Sequence, residues 1–189
     1  VAAPPPAREP LVIDEVDVDQ PGADTAEFIE IFNPGARPAP LLGLVVEQVN
    51  AAGEVYATQA LDAAIGPEGT PVLALGPNQR LVVGAPAVLA GLPPEAAGIV
   101  LDGSLQNAAG NALRIVDTLN PMRAVLDAVA LGSNPVGAGE GAATEVVDAN
   151  AEVVLSVNRC PSGADTNDNA TDFGWGAPTP GAANVCLAA

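Results

Sequence analysis

Apolar residues in this chain come in short runs, and nearly every run is closed by Gly, Pro or Asn. Residues 11–18 form the first run, turned by Pro21-Gly22-Ala23-Asp24. Residues 27–33 form the second, stopped by Pro34-Gly35, and residues 41–49 the third, with Asn50-Ala51-Ala52-Gly53 as its turn and 54–57 as a returning partner. Further runs at 72–75 and 80–83 flank Gly76-Pro77-Asn78, and short ones follow at 99–101 and 105–107. Residues 111–116 and 124–131 read as a hairpin turned at Asn120-Pro121, and 153–158 alternates as a strand with one better-buried face. Residues 87–92 allow one helical turn before Pro93, 132–141 form a Gly-rich loop, and from Pro161 onward the chain reads mostly as ordered loop.

About ten short strands at this spacing predict an all-β fold, an antiparallel β-sandwich with long loops. The alanine content favours helix by propensity, but no segment sustains a 3.6-residue apolar period beyond two turns. The 189 residues suit one domain, placed over 10–189 after a Pro-rich linker at 1–9. A first residue Val1 in place of Met reads as a chain whose leader has been removed, or as a piece of a longer one. The longest apolar window, 82–101, is broken by Pro86, Pro93, Pro94 and Glu95 and does not read as a membrane span.

Composition sharpens this picture in three ways. Apolar residues make up 49% but aromatics only 3%, so Ala, Val and Leu must fill the core. There are 23 acidic residues against 6 basic ones, all Arg, for a net charge of -17. A polyanion such as nucleic acid is repelled, whereas a cation or a neutral glycan is compatible, and solubility alone also explains an acidic coat. The absence of His and Lys excludes Ser-His-Asp and Cys-His pairs, imidazole metal sites, Schiff bases and the P-loop lysine. The two cysteines, Cys160 and Cys186, read as one disulfide, worth at most about 3.5 kcal/mol by chain entropy; two unpaired buried thiols are the alternative.

Two groups of side chains could carry chemistry. Asp165, Asn167, Asn169 and Asp172 place oxygens at alternate positions of a turn-rich loop, a spacing able to wrap Ca²⁺, although the central Gly and twelfth-position Glu of calcium loops are missing. The same residues also suit Asx-turns that pin the loop. The second group is Glu15, Asp17, Asp19, Asp24 and Glu27, with Asp14 and Glu30 beside them, on two successive strands and their turn. Glu15 is expected on the face of Ile13, and Glu27 on that of Ile29 and Ile31. A carboxylate there must be hydrogen-bonded, paired with Arg8, Arg114 or Arg159, or metal-bound. A metal site, a glycosidase-like acid pair and a solvated sheet edge are the three readings of that group. Trp175, between two glycines, either stacks on a sugar or covers the core, and the loop 137–141 lacks the basic residue of a phosphate site.

Four segments together resemble the lamin-tail domain in its bacterial, secreted form. They are Leu11-Val12-Ile13-Asp14-Glu15-Val16, residues 27–35, Leu41-Leu42-Gly43-Leu44-Val45-Val46, and residues 155–181 with Asp165 to Phe173. The resemblance implies an immunoglobulin-like sandwich, with an insertion over 61–98. It further implies a non-catalytic interaction, adhesion or targeting module, secreted or at a bacterial cell surface, extracellular or periplasmic, with a protein or glycan partner. A carboxylate-based metal-dependent hydrolase and an accessory domain of a larger secreted nuclease or phosphatase are the competing expectations.

Overall fold

The apolar runs become strands wherever turn residues close them. A computed structural model describes residues 8–144 and 154–187. In chain order it contains β1 (Val12–Asp17), β2 (Phe28–Phe32), β3 (Ala39–Pro40), β4 (Leu44–Val49), β5 (Val55–Ala60), β6 (Ala74–Leu75), β7 (Arg80–Gly84), α1 (Pro86–Leu89), β8 (Ala97–Val100), β9 (Ala112–Asp117), β10 (Val125–Ala130), β11 (Ser156–Arg159), α2 (Asn169–Asp172), β12 (Phe173–Ala177) and β13 (Val185–Cys186). The two helices have four residues each, and the fold is all-β.

One sheet has seven strands in the order β13-β12-β11-β1-β2-β7-β8, and a second has four in the order β10-β9-β4-β5; β3 and β6 pair separately. Their inner faces meet in one core. Ile13, Val16, Ile29, Ile31, Leu81, Val83 and Val157 come from the larger sheet and Leu44, Val46, Leu113, Ile115 and Val129 from the smaller. This is a β-sandwich of mainly aliphatic packing, as the scarcity of aromatics requires. Every pair is antiparallel except β7 and β8, which run parallel. The chain makes that crossover through α1, inside the segment expected to hold an insertion.

One local expectation needs correction. Leu105 is buried but lies in a loop, with no strand at 105–107. The stretch after Pro161 is mostly ordered loop, as expected, and carries within it α2, β12 and β13. Strand β12, Phe-Gly-Trp-Gly-Ala, has two glycines that weaken a strand on their own, and it pairs with β11 on one side and β13 on the other. The strand expected over 153–158 is β11, with Val153 outside the described residues. Of the linker placed at 1–9, residues 1–7 lie outside the described residues, while Arg8 donates to Asp117 Oδ2 and Oδ1 at 2.8 Å each.

A β-bulge sets the chemistry of β1. The register shifts between Ile13 and Glu15, so Ile13 opposes Ile31 and Val16 opposes Ile29, all four on the core side. Glu15 is thereby opposed to Glu30. The extra residue reverses the face that plain alternation assigns to Glu15, and the expectation that it shares the face of Ile13 is overturned.

Candidate functional site

Arg159 ends β11 where the two sheets approach, and its side chain is fully buried. Every guanidinium nitrogen is engaged. Nε donates to Ile13 O at 2.9 Å, Nη1 to Ala164 O at 2.9 Å and to Asp172 Oδ2 at 3.0 Å, and Nη2 to Asp127 Oδ1 and Oδ2 at 2.9 and 3.0 Å. The Phe173 ring lies 4.6 Å below the guanidinium carbon. A second bulge, between Val125 and Asp127 of β10, pairs Asp127 with Ile115, whose side chain belongs to the core. There Asp127 also accepts from Ile13 N at 2.5 Å. A buried charge costs several kcal/mol unless it is paired and hydrogen-bonded, and this one is both.

The loop 132–144 brings Glu140 to the same place. Asp127, Glu140 and Asp165 offer carboxylate oxygens within 4.8 Å of one another, a set that could hold a metal ion. Asp165 also lies 3.5 Å from Arg159 Nη1. Glu140 Oε2 is buried with no hydrogen-bond partner among the described residues if both carboxyls are ionised. A proton on Glu140 resolves this, because Glu140 then donates to Asp127. Burial first, and then the charges of Asp127 and Asp165, push Glu140 up to about 8. Burial likewise raises Asp127, against the pull of Arg159.

The loop residues expected to bind calcium have separate tasks. Asn169 is wholly buried; its Oδ1 accepts from Ala130 N at 2.9 Å and Glu140 N at 3.0 Å, and its Nδ2 donates to Ala128 O at 2.8 Å. It bolts the Glu140 loop and α2 to β10. Asp172 accepts from Arg159, Thr166 N and Thr166 Oγ1. Asp165 makes an Asx-turn with Asn167 N at 3.0 Å, and Asp168 caps α2 through Ala170 N. Of these four residues only Asp165 belongs to the triad. Asp127 and Glu140 escaped sequence reasoning, although one signal was present: an acid inside the apolar run Leu126-Asp127-Ala128-Val129 demands a buried partner.

The acidic residues of β1 and β2 divide into two groups. β1 and β2 are interior strands, so the solvated-edge reading is overturned. Glu15 Oε1 accepts from Ser156 Oγ and Thr179 N, and its Oε2 from Thr179 Oγ1. Glu30 accepts from Arg80 Nε at 2.9 Å and Gly181 N at 2.6 Å; burial nevertheless pushes it up to about 9. Asp14 accepts from Ser162 Oγ and Gly163 N. These three carboxyls latch the C-terminal segment onto the sheet. The second group holds the β1–β2 connection. Asp17 accepts from Gln20 Nε2, and Asp24 from Gln20 N and Asn107 Nδ2. Glu27 accepts from Leu105 N at 3.0 Å, and burial pushes it up to about 7, with the charges of Asp24 and then Asp19 adding to the rise. Asp19 contributes to that field from an intermediate position.

Arg8, Arg114 and Arg159, the expected partners of this acidic group, pair instead with Asp117, Glu47 and Asp127, and Arg80 serves Glu30 and Asp14. Arg37 pairs with Glu9 and Arg123 with Glu47, so all six arginines carry intramolecular ion pairs. Cys160 and Cys186 form the expected disulfide, with Cα atoms 5.9 Å apart. Trp175 packs partly buried against the core, as a cover. Among the described residues no helix is long and apolar enough to cross a membrane. Comparison of the chain with protein-family models, curated proteins and solved structures gives no match.

Proposed function

We propose that this chain is a non-catalytic interaction module of the lamin-tail type, working outside the cytoplasm in adhesion or targeting. One observation carries the reading: Arg159, Asp127 and Asp172, with the carboxyls of β1 and β2, are engaged in holding loops and tail to the sandwich. Every guanidinium nitrogen of Arg159 already donates within the chain, and the side chain is fully buried. Glu15, Glu30 and Asp14 receive donors from the chain itself. The segments that carry the resemblance take part in this bracing. Asn33 of the Asn-Pro-Gly turn donates to Arg37 O and Leu75 O, and Asp172 braces Arg159. The disulfide fits an oxidising compartment. With all six arginines paired, an anionic polymer finds little to hold it, and a protein or glycan partner is the better match. The test is a panel of phosphomonoester, phosphodiester and glycoside substrates with Ca²⁺, Mg²⁺ and Mn²⁺. No turnover above a heat-denatured control is expected; turnover abolished by Asp127→Asn would overturn the reading in favour of the hydrolase.

A second reading concerns the triad alone. Three carboxylates and no nitrogen or sulfur donors suit a hard cation, and Ca²⁺ is the ion we assign to it. The ion would take the place of the proton between Asp127 and Glu140, so its binding strengthens as pH rises past about 8. Melting curves in EDTA and in CaCl₂, at pH 6 and pH 9, decide the matter. A Ca²⁺-dependent rise in Tm at pH 9 is expected, and identical curves remove the cation.

A further inference from the structure

A cleft of about 380 Å³ lies at the open edge of the smaller sheet, lined by β5, by Gln48 of β4 and by residues 102–104. It is separate from Arg159 and from the triad. Gln48 is 1% exposed, yet its Oε1 has no hydrogen-bond partner among the described residues. A buried amide oxygen without a donor costs about 1–3 kcal/mol, so a side chain left in that state at the wall of a cleft calls for an occupant.

The other walls supply complementary groups. Tyr56 accepts from Gln106 N at 3.2 Å, which leaves its phenolic hydrogen to donate elsewhere. Burial raises the Tyr56 pKa further above the neutral range, so it stays a donor. Gln59 accepts from Asp102 N at 3.2 Å through Oε1, leaving its NH₂. Gly103, at φ +85°, turns the chain so that Asp102 and Ser104 both line the cleft.

This set selects a chemical class. The lining carries a carboxylate, Asp102, and no arginine, and Glu27 raises Tyr56 through its charge. An anion is disfavoured. An apolar ligand would leave the Gln48 amide unmet, and one carboxylate is a poor cage for a metal ion. A hydroxyl group donates and accepts, and so meets an amide in either orientation. We propose that this cleft binds one unit of a neutral sugar, its hydroxyls bonded by Gln48, Tyr56, Gln59, Asp102 and Ser104. The proposal rests on the reading of the chain as a binding module and names a partner class for it.

The experiment is saturation-transfer and chemical-shift NMR on the intact protein. The probes are the methyl glycosides of glucose, galactose, mannose and N-acetylglucosamine, with glucuronic acid as the anionic control. At least one neutral glycoside is expected to bind at or below about 10 mM, and the anionic control not to bind. Gln48→Met keeps the side-chain length and removes the amide; it is expected to weaken binding about tenfold, the size of one buried hydrogen bond. Ser104→Ala, in an exposed loop, should weaken binding without changing Tm and serves if Gln48→Met fails to fold. Absence of binding by every glycoside, meaning a water-filled cleft only, overturns the proposal and leaves the module reading standing. Equal binding of the anionic control overturns it as well. Conversion of a bound glycoside to product would overturn the module reading while the cleft remains a sugar site.

Discussion

Arg159 and Asp127 meet through a single nitrogen: Nη2 donates to both carboxylate oxygens, at 2.9 and 3.0 Å, with both side chains fully buried. Asp127 lies on the smaller sheet and Arg159 on the larger, so the pair ties the two layers across the end of the core. Asp172 and Ala164 hold the guanidinium from the loop side.

Removing one partner strands the others. Arg159→Met leaves Asp127 and Asp172 buried without their cation and is expected to destabilise the fold by about 3–5 kcal/mol. The double variant Arg159→Met with Asp127→Asn should recover part of that loss, since the unpaired charge goes with it. Urea denaturation of the two proteins and the parent measures both values. A double variant less stable than the single one would contradict this account.

Acids raised by burial set the alkaline side of the pH response; Asp14, Glu15 and Asp127 shift upward, and three glutamates shift further. Glu27, Glu140 and Glu30 are pushed up from 4.5 to about 7, 8 and 9. The folded state therefore holds protons that the unfolded chain releases. The contribution of these groups to stability is complete below about pH 4.5 and is lost as pH rises through those values. Asp117, Glu47 and Asp24, the last through its hydrogen bond from Asn107, oppose them at the acid end. Asp117 is held low by Arg8, and Glu47, despite the cost of burial, is held low by Arg123 and Arg114. Their contribution is lost as pH falls below the ordinary carboxylate range. Tm should peak near about pH 5 and fall towards pH 9. Glu140→Gln, whose amide donates to Asp127 as the protonated acid does, should shrink that fall. A Tm that rises from pH 5 to pH 9 would refute the assignment.

The sequence pattern and the fold agree where packing alone decides. The runs that became β1, β2, β4, β7, β9 and β10 are apolar and end in turn residues, and each buries an inner face. The disulfide was legible from two cysteines. What remained hidden depends on pairing between distant segments. The bulge at Ile13/Glu15 exchanges faces without any change in composition. Strand β12 has two glycines in five residues, and the partner that orders it is β11: an added Cβ at Gly176 would lie 2.1 Å from Asn158 Nδ2 and 2.6 Å from Val185 O. The triad joins Asp127, Glu140 and Asp165, three acids from three segments. Asp165 was noticed only for its own loop, where spacing could suggest calcium but could not reveal Arg159 as the cation already present.

Asn169 is the joint between that loop and β10. Asn169→Ala leaves Ala130 N, Glu140 N and Ala128 O without their partners in a buried place. At about 1 kcal/mol or more for each group, a loss of about 3 kcal/mol is expected. The loop 132–144 should detach before the sandwich unfolds. Hydrogen exchange at Ala130 and Glu140 reports the first event, and denaturation the second. Exchange at those amides unchanged in the variant would show that the loop is held by other contacts.

Reduction of the disulfide should have a local effect and a global one. Opening the Cys160–Cys186 bridge frees a segment of 26 residues in sequence, which costs at most about 3.5 kcal/mol of chain entropy. The same segment stays latched by Glu15 to Thr179, by Glu30 to Gly181, and by Asn184 Nδ2 to Asp14 O and Arg159 O. Past Asn184 the described chain is held by the two-residue β13 and by Leu187 N to Trp175 O at 3.0 Å. Fraying is therefore expected to begin at 185–187 and to stop at Asn184. In reducing buffer the Leu187 amide should lose protection, while Gly181 and Ile13 keep theirs. Loss at all three together would mean that the sulfur bridge, and not the buried carboxyls, holds the tail.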